Sequence, residues 1–202
     1  VKTKPTQQGV AKLREIGIMP DVLICRAEVD LEKEHLEKLS LFCNVDRSCV
    51  IVEKDVEYSI YEIPLILSKA GLDQIILDRL QIERAASSLD DWEALLRVIR
   101  DPEGEVHIGM VGKYSELQDA YKSVDEALMH GGYALGKKVI VEKISAEDIE
   151  KDPTILKNVD GILIPGGFGS RGMEGKILAA QYAREKKIPF LGICLGLQCA
   201  VI

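Results

Sequence analysis

A cysteine stands between two glycines in Gly192-Ile193-Cys194-Leu195-Gly196. The apolar run "PFLGIC" before it fits a strand, and "LGLQCAVI" after it fits the start of a helix. A nucleophile elbow has this build: a sharp strand-to-helix turn lifts the reactive atom above the sheet in a strained conformation. Glycines flank such a residue because side chains there would collide within the turn. The helix N-terminus would favour the thiolate through its dipole and free N–H groups. Those N–H groups, Leu195's first, would also stabilise an oxyanion. The alternative is a packed cysteine at a strand end, and the pentapeptide alone does not separate the two. Cys199, inside the helix, reads as core.

A second glycine cluster, "PGGFGSRGMEGK", begins at Pro165. Gly167, Gly169 and Gly172 fit G-x-G-x-x-G between a strand and a helix. A dinucleotide site would then need an acidic residue at the end of the next strand, and "PFLGICLG" has none. A P-loop fails too. Five residues rather than four separate Gly169 from Gly175-Lys176, and Ile177 stands where Ser or Thr would meet magnesium. The loop is better read as presenting backbone N–H groups to a reacting carbonyl beside the elbow; glycines that merely turn a strand into a helix are the plainer alternative.

Apolar runs alternate with amphipathic stretches along the whole chain. "DVLIC" reads as a buried strand and "LEKEHLEKLSLFC" as a helix, with Leu31, His35, Leu36, Leu39 and Phe42 on or near one face. "CVIVEK" is a second strand, and "SIYEIPLILSKAGLDQIILDRL" a helix with Pro64 in its first turns. A less apolar connecting stretch follows, with Ser87 and Ser88 preceding a helix around Trp92, closed by Pro102 and Gly104. The pattern then restarts: strand "VHIGMVGKY", helix "LQDAYKSVDEALMHGGYALG", strand "KVIVEKIS", helix around "AEDIEKDPTILKNV". Strand "DGILIPGG", helix "MEGKILAAQYAREKKI" and strand "PFLGIC" complete it. This alternation predicts an α/β fold with parallel sheets covered by helices in both parts. The expected division is residues 1–82, a linker over 83–104, and a second domain over 105–202.

Composition narrows the classes. Of 202 residues, 47% are hydrophobic and 29% charged, as in ordinary globular domains. The net charge of −7 argues against nucleic acid or an anionic membrane as the main partner. No apolar run approaches the roughly 18 residues of a membrane span. The five cysteines form no CxxC, so reduced thiols in a cytoplasmic protein are expected, with no metal site. The start, "VKTKPTQQGV", has neither an apolar h-region nor an initiating methionine, and the sequence reads as cut at both ends.

In that opening segment Lys2 and Lys4 alternate around Thr3. An extended backbone would put both lysines on one side, with the Thr3 and Thr6 hydroxyls available to phosphate oxygens. A solvated polar end is the alternative.

"ILIPGGFGSRGMEGK" followed by "PFLGICLGLQ" resembles the class I glutamine amidotransferases, and within them the CTP synthase family. "GMVGKYSELQDAYKSVDEAL" resembles the start of that family's glutaminase domain, and "KTKPTQ" a nucleotide-site motif of its synthetase domain. The resemblance implies a flavodoxin-like glutaminase, incomplete here, in the second part. It also implies production of CTP from UTP, ATP and glutamine, hence a ligase of pyrimidine biosynthesis.

By the same resemblance Cys194 attacks the glutamine amide, forms a glutamyl thioester and releases ammonia. Gly167 and Leu195 would supply oxyanion amides, and Leu195, Gly196, Leu197 and Gln198 would line the glutamine site. Leu197 stands where the family usually has Met, a volume-conserving change. Lys2, Thr3, Lys4, Pro5, Thr6 and Gln7 would meet UTP and the feedback inhibitor CTP, as would Lys38. Lys54, Asp55 and Val56 would meet the ATP adenine. Magnesium would accompany ATP on ligands outside this chain, GTP would be an activator, and the assembly a homotetramer.

A thiol nucleophile of this kind needs a histidine oriented by a carboxylate. The three histidines, His35, His107 and His130, all precede Cys194 and read as structural. In the family the His and Glu partners come well after the cysteine, so this chain alone is not expected to hydrolyse glutamine at a useful rate. Two other readings stay open: a glutamine amidotransferase with another acceptor, and a non-catalytic flavodoxin-like binding module. "KTKPTQ" speaks against the first.

Overall fold

The computed structural model describes residues 2–83, 88–113, 118–167, 169 and 171–202. Ser87, Tyr114, Leu117, Phe168 and Ser170, which the sequence reading places in turns and element ends, lie outside the described residues. The chain divides into two compact units, Val1–Leu96 and Arg97–Ile202.

The first unit contains helix α1 (Lys4–Glu15), strand β1 (Leu23–Ala27), helix α2 (Lys33–Cys43), strand β2 (Val50–Lys54), and helices α3 (Ile63–Lys69) and α4 (Leu72–Leu80). Strands β1 and β2 pair in parallel, Leu23 opposite Val50 through Ala27 opposite Lys54. Val10 of α1, Leu36 and Leu39 of α2, and Leu23, Cys25 and Val50 of the strands share one core. Alternation along β1 sends Leu23 and Cys25 into it and leaves Ile24, 51% accessible, on the other face. The expectation of a strand buried on both sides therefore fails here.

Three further expectations change. The "KTKPTQ" segment is not extended. Pro5 occupies the first turn of α1, where its missing N–H costs nothing, and the helix begins at Lys4. Phe42 points outward, and Cys43 takes the core position beside Leu36 and Leu39. The single helix expected around Pro64 is two, because Gly71 adopts φ +81° and starts α4 afresh. Helix α5 (Asp90–Arg100) carries Trp92, whose indole N–H donates to the Tyr61 carbonyl.

The second unit contains β3 (Glu105–Gly112), α6 (Lys122–Ala134), β4 (Lys138–Ser145), α7 (Ala146–Lys151), β5 (Gly161–Ile164), α8 (Met173–Lys186), β6 (Phe190–Gly192) and α9 (Leu195–Val201). Its four strands are all parallel, in the order β4-β3-β5-β6. This is the flavodoxin-like order, and it reverses direction between β3 and β5. Alternation covers both faces. Val111, Ile162 and Ile164 pack with Ile149 of α7 and with Ala179 and Ala183 of α8. Met110 and Leu163 face the other way, with Val124 and Leu128 of α6. The expected α/β architecture is thus present, and the covered parallel sheet belongs to the second unit. Among the described residues no helix is long and apolar enough to cross a membrane.

Candidate active site at the end of the parallel sheet

In open α/β sheets ligands bind beyond the carboxyl ends of the strands, near the point where strand order reverses. Here that region gathers Lys113 after β3, Pro165 to Gly167 after β5, and Cys194 after β6.

Cys194 has φ +51° and ψ −106°, a region that a side-chain-bearing residue occupies only under strain of about 1–3 kcal/mol. Close packing around the turn holds it there. A Cβ on Gly192 would lie 2.5 Å from the Gly196 carbonyl carbon and the Leu197 nitrogen; one on Gly196 would lie 2.1 Å from the Ile164 oxygen. Both glycines are therefore obligatory, as the elbow reading requires. The Ile193 N–H donates to the Ile164 carbonyl at 2.9 Å, tying the turn to the end of β5. Helix α9 starts at once, the Gln198 N–H donating to the Cys194 carbonyl at 3.1 Å. Cys194 is exposed, whereas Cys25, Cys43, Cys49 and Cys199 are buried.

The glycine loop closes over this turn. A Cβ on Gly166 would sit 3.6 Å from that of Cys194, and one on Gly167 would sit 3.7 Å from Leu195 Cδ2. Gly167, Cys194 and Leu195 are thereby brought together as expected. Gly196, Leu197 and Gln198 form the first turn of α9, with Gly196 buried and Leu197 and Gln198 exposed. Beyond the loop, Gly172 at φ +71° starts α8. That helix lies so close to α7 that a Cβ on Gly175 would fall 1.8 Å from the Ala146 oxygen. Arg171 pairs with Glu147, and the guanidinium holds that carboxyl below the usual carboxylate range.

One residue of this site escaped the sequence reading. Lys176 is only 3% accessible, and its Nζ lies 3.6 Å from where a Gly167 Cβ would be. Burial pushes its ammonium pKa down. The available signal was spacing: Lys176, Ala179 and Ala183 recur at i, i+3 and i+7 on the buried face of α8.

Of the two histidines in this unit, His107 stands away from the elbow. His107 sits on β3 three positions before Met110, whose rung includes Leu163 and Leu191; that is about 10 Å toward the opposite end of the sheet. Its Nδ1 is engaged with Glu142 Oε1 at 2.7 Å. His130, on α6, stacks obliquely near Tyr133, and His35 belongs to the other unit.

In the first unit Lys2, Lys4 and Pro5 are exposed, and Thr6 and Gln7 half-buried. Thr3 is buried, and its hydroxyl accepts from Gln7 Nε2 at 3.1 Å at the start of α1. Lys38 is exposed on α2. Lys54 and Asp55 lie at the carboxyl end of β2, Val56 just beyond, and both charges are paired. Lys54 meets Asp30 at 2.8 Å; Asp55 meets Arg26 at 2.6 Å, which holds its carboxyl low. Among the described residues no group of three or more His, Cys, Asp or Glu is placed to hold a metal.

The sequence matches two family models, CTP synthase N-terminus over residues 1–82 and glutamine amidotransferase class-I over residues 116–202. It is 54% identical to the CTP synthase of Fibrobacter succinogenes over 100% of this chain and 36% of that protein. With the CTP synthase of Clostridium acetobutylicum it shares 51% over 100% of this chain and 38% of that one. The chain therefore spans little more than a third of these relatives. A solved Trypanosoma brucei CTPS glutaminase domain with bound acivicin is 40% identical, covering 48% of this chain and 39% of that one, with a TM-score of 0.45. With both models present in one chain and the similarity to these enzymes unbroken from end to end, this chain belongs to the CTP synthase family.

Proposed function

We propose that this chain is the junction segment of a glutamine-hydrolysing CTP synthase, a ligase that aminates UTP at the expense of ATP with ammonia released from glutamine. The observation that carries the reading is Cys194, exposed and strained at φ +51° beneath the glycine loop.

The chemistry follows from that geometry. The Cys194 sulfur adds to the carboxamide carbon of glutamine, and the oxygen takes up the electron pair of the C=O bond. The N–H groups of Gly167 and Leu195 receive that oxyanion; removing one such donor typically costs about 10²–10³ in kcat. Collapse breaks the C–N bond and releases ammonia, which needs a proton from a general acid. Water then hydrolyses the glutamyl thioester. The acid–base pair is the histidine and glutamate that follow the cysteine in the family. Leu195, Gly196, Leu197 and Gln198 line the glutamine side.

In the first unit, Lys2, Lys4 and Lys38 are exposed cations suited to the phosphates of UTP and of CTP as inhibitor. Lys54, Asp55 and Val56 flank the ATP adenine at the end of β2. No residue of this chain is assigned to magnesium, and GTP activation, homotetramer assembly and a cytoplasmic setting complete the proposal. The match of residues 1–82 to the synthase N-terminus weighs against a glutaminase serving another acceptor.

The test is a Cys194→Ala variant of the full-length protein, assayed for CTP formation with glutamine and with ammonium. Loss of the first with retention of the second is expected. Loss of both, or of neither, would reject the division of labour.

A further inference from the structure

The geometry points to Lys176 as a positioning residue for the oxyanion, a buried cation set behind Gly167 to balance the charge that develops on the substrate oxygen. This rests on the glutaminase reading above.

Three observations lead to it. Lys176 is 3% accessible, although lysines are almost never fully buried unless paired. Among the described residues its ammonium forms no hydrogen bond or ion pair, and no carboxylate lies within salt-bridge distance. Its Nζ also lies 3.6 Å from the Cβ position of Gly167, on the loop expected to hold the oxyanion. An unpaired buried cation is costly. Here the compensating charge would arrive with the substrate, at the step where a negative oxygen forms beside the Gly167 N–H.

The charged and titratable neighbours are consistent with that role. Burial is the largest influence disfavouring the Lys176 ammonium; Lys113, just after β3, repels it as well, and Cys199 on α9 would favour it only as a thiolate, a form that its own burial disfavours. From α7, Glu150 is engaged by the Gly175 N–H at 3.2 Å. The lysine is thus a largely buried cation with a second cation, Lys113, acting on it, a setting that an incoming anion would relieve. Low local dielectric makes such a fixed charge worth more than the same charge in water.

The experiment measures glutamine hydrolysis by the full-length protein across pH, for the parent, Lys176→Met and Lys176→Arg, with thermal melting as the check on folding. Lys176→Met is expected to lower kcat about 10- to 100-fold with KM nearly unchanged. Lys176→Arg, which cannot lose its charge, is expected to keep most of kcat and to push any alkaline decline to higher pH. A purely structural lysine would move neither the kcat-against-KM split nor the pH profile. Should Lys176→Met fail to fold, the arginine variant decides: a pH profile identical to the parent's overturns the inference. If the parent hydrolyses glutamine and Lys176→Met matches it in kcat and pH profile, the lysine's role falls and the glutaminase reading stands. If the parent does not hydrolyse glutamine at all, both fall.

Discussion

Gly196 is seated on Ile164: a Cβ at the glycine would approach the isoleucine carbonyl oxygen to 2.1 Å. The turn bearing Cys194 thus rests on the end of β5, and the same strand end leads into the glycine loop. One contact sets the height of the nucleophile relative to the amides that face it.

Replacing Gly196 by alanine must therefore lift the whole turn. A loss of about 3 kcal/mol or more is expected, since backbone cannot yield as a flexible side chain does. Denaturant titration measures the loss; a change under 1 kcal/mol would mean the turn is softer than its packing indicates.

Cys194 makes the opposite case. Its φ and ψ mirror an extended conformation that glycine adopts freely. Cys194→Gly should stabilise the fold by roughly 1 kcal/mol while removing the nucleophile. The midpoint of chemical unfolding should rise, whereas Cys194→Ala should leave the strain in place.

Glycines outside the site differ among themselves in the same way. Gly131, within α6, has nothing within 4 Å of its Cβ position, and Gly131→Ala should stabilise by about 0.5–1 kcal/mol through helix propensity. Gly175→Ala, aimed 1.8 Å from the Ala146 oxygen, should instead unfold or displace α8. Comparable melting curves for the two variants would contradict the packing described.

Lys176 gives a pH-dependent test of stability. Burial, the largest effect, puts its folded pKa below the ordinary 10.5, so the unfolded chain binds the proton more tightly. The cost of the buried charge is then fully present at pH below the folded pKa. It fades as pH rises from there toward 10.5. Lys176→Met should be more stable than the parent at neutral pH, with the difference shrinking in alkaline solution. Equal stability at pH 7 would show that the ammonium is solvated.

On the nucleotide side, Lys4→Ala and Lys38→Ala should weaken UTP binding or CTP inhibition several-fold with little effect on melting, because both side chains are exposed. Unchanged nucleotide titrations would remove the first unit from the proposed UTP site.

Much of the site was legible because its glycines are demanded by contact. Gly192 and Gly196 flank the cysteine for the reason the elbow gives, and the strand-helix alternation around them carries the parallel sheet. Other features were hidden by chemistry that has two local solutions. Lys2 and Lys4 alternate as in a strand, yet Pro5 equally opens a helix, and Gly9 blurs the period that would have revealed it. Gly71 resembles a tolerated helix glycine until its φ of +81° shows a break. Lys176 was masked by its type: a lysine on a helix reads as solvated unless its neighbours at i+3 and i+7 are weighed together.

The strands leave a further mark on how this stretch behaves as a substance. Among the described residues β1 and β2 each pair on one side alone, with Ile24 open beside them, and β6 ends its sheet with Leu191 55% accessible. Unpaired strand edges recruit other chains. Prepared as an isolated segment at rising concentration, the polypeptide should scatter light before it loses helical signal, self-association outrunning unfolding.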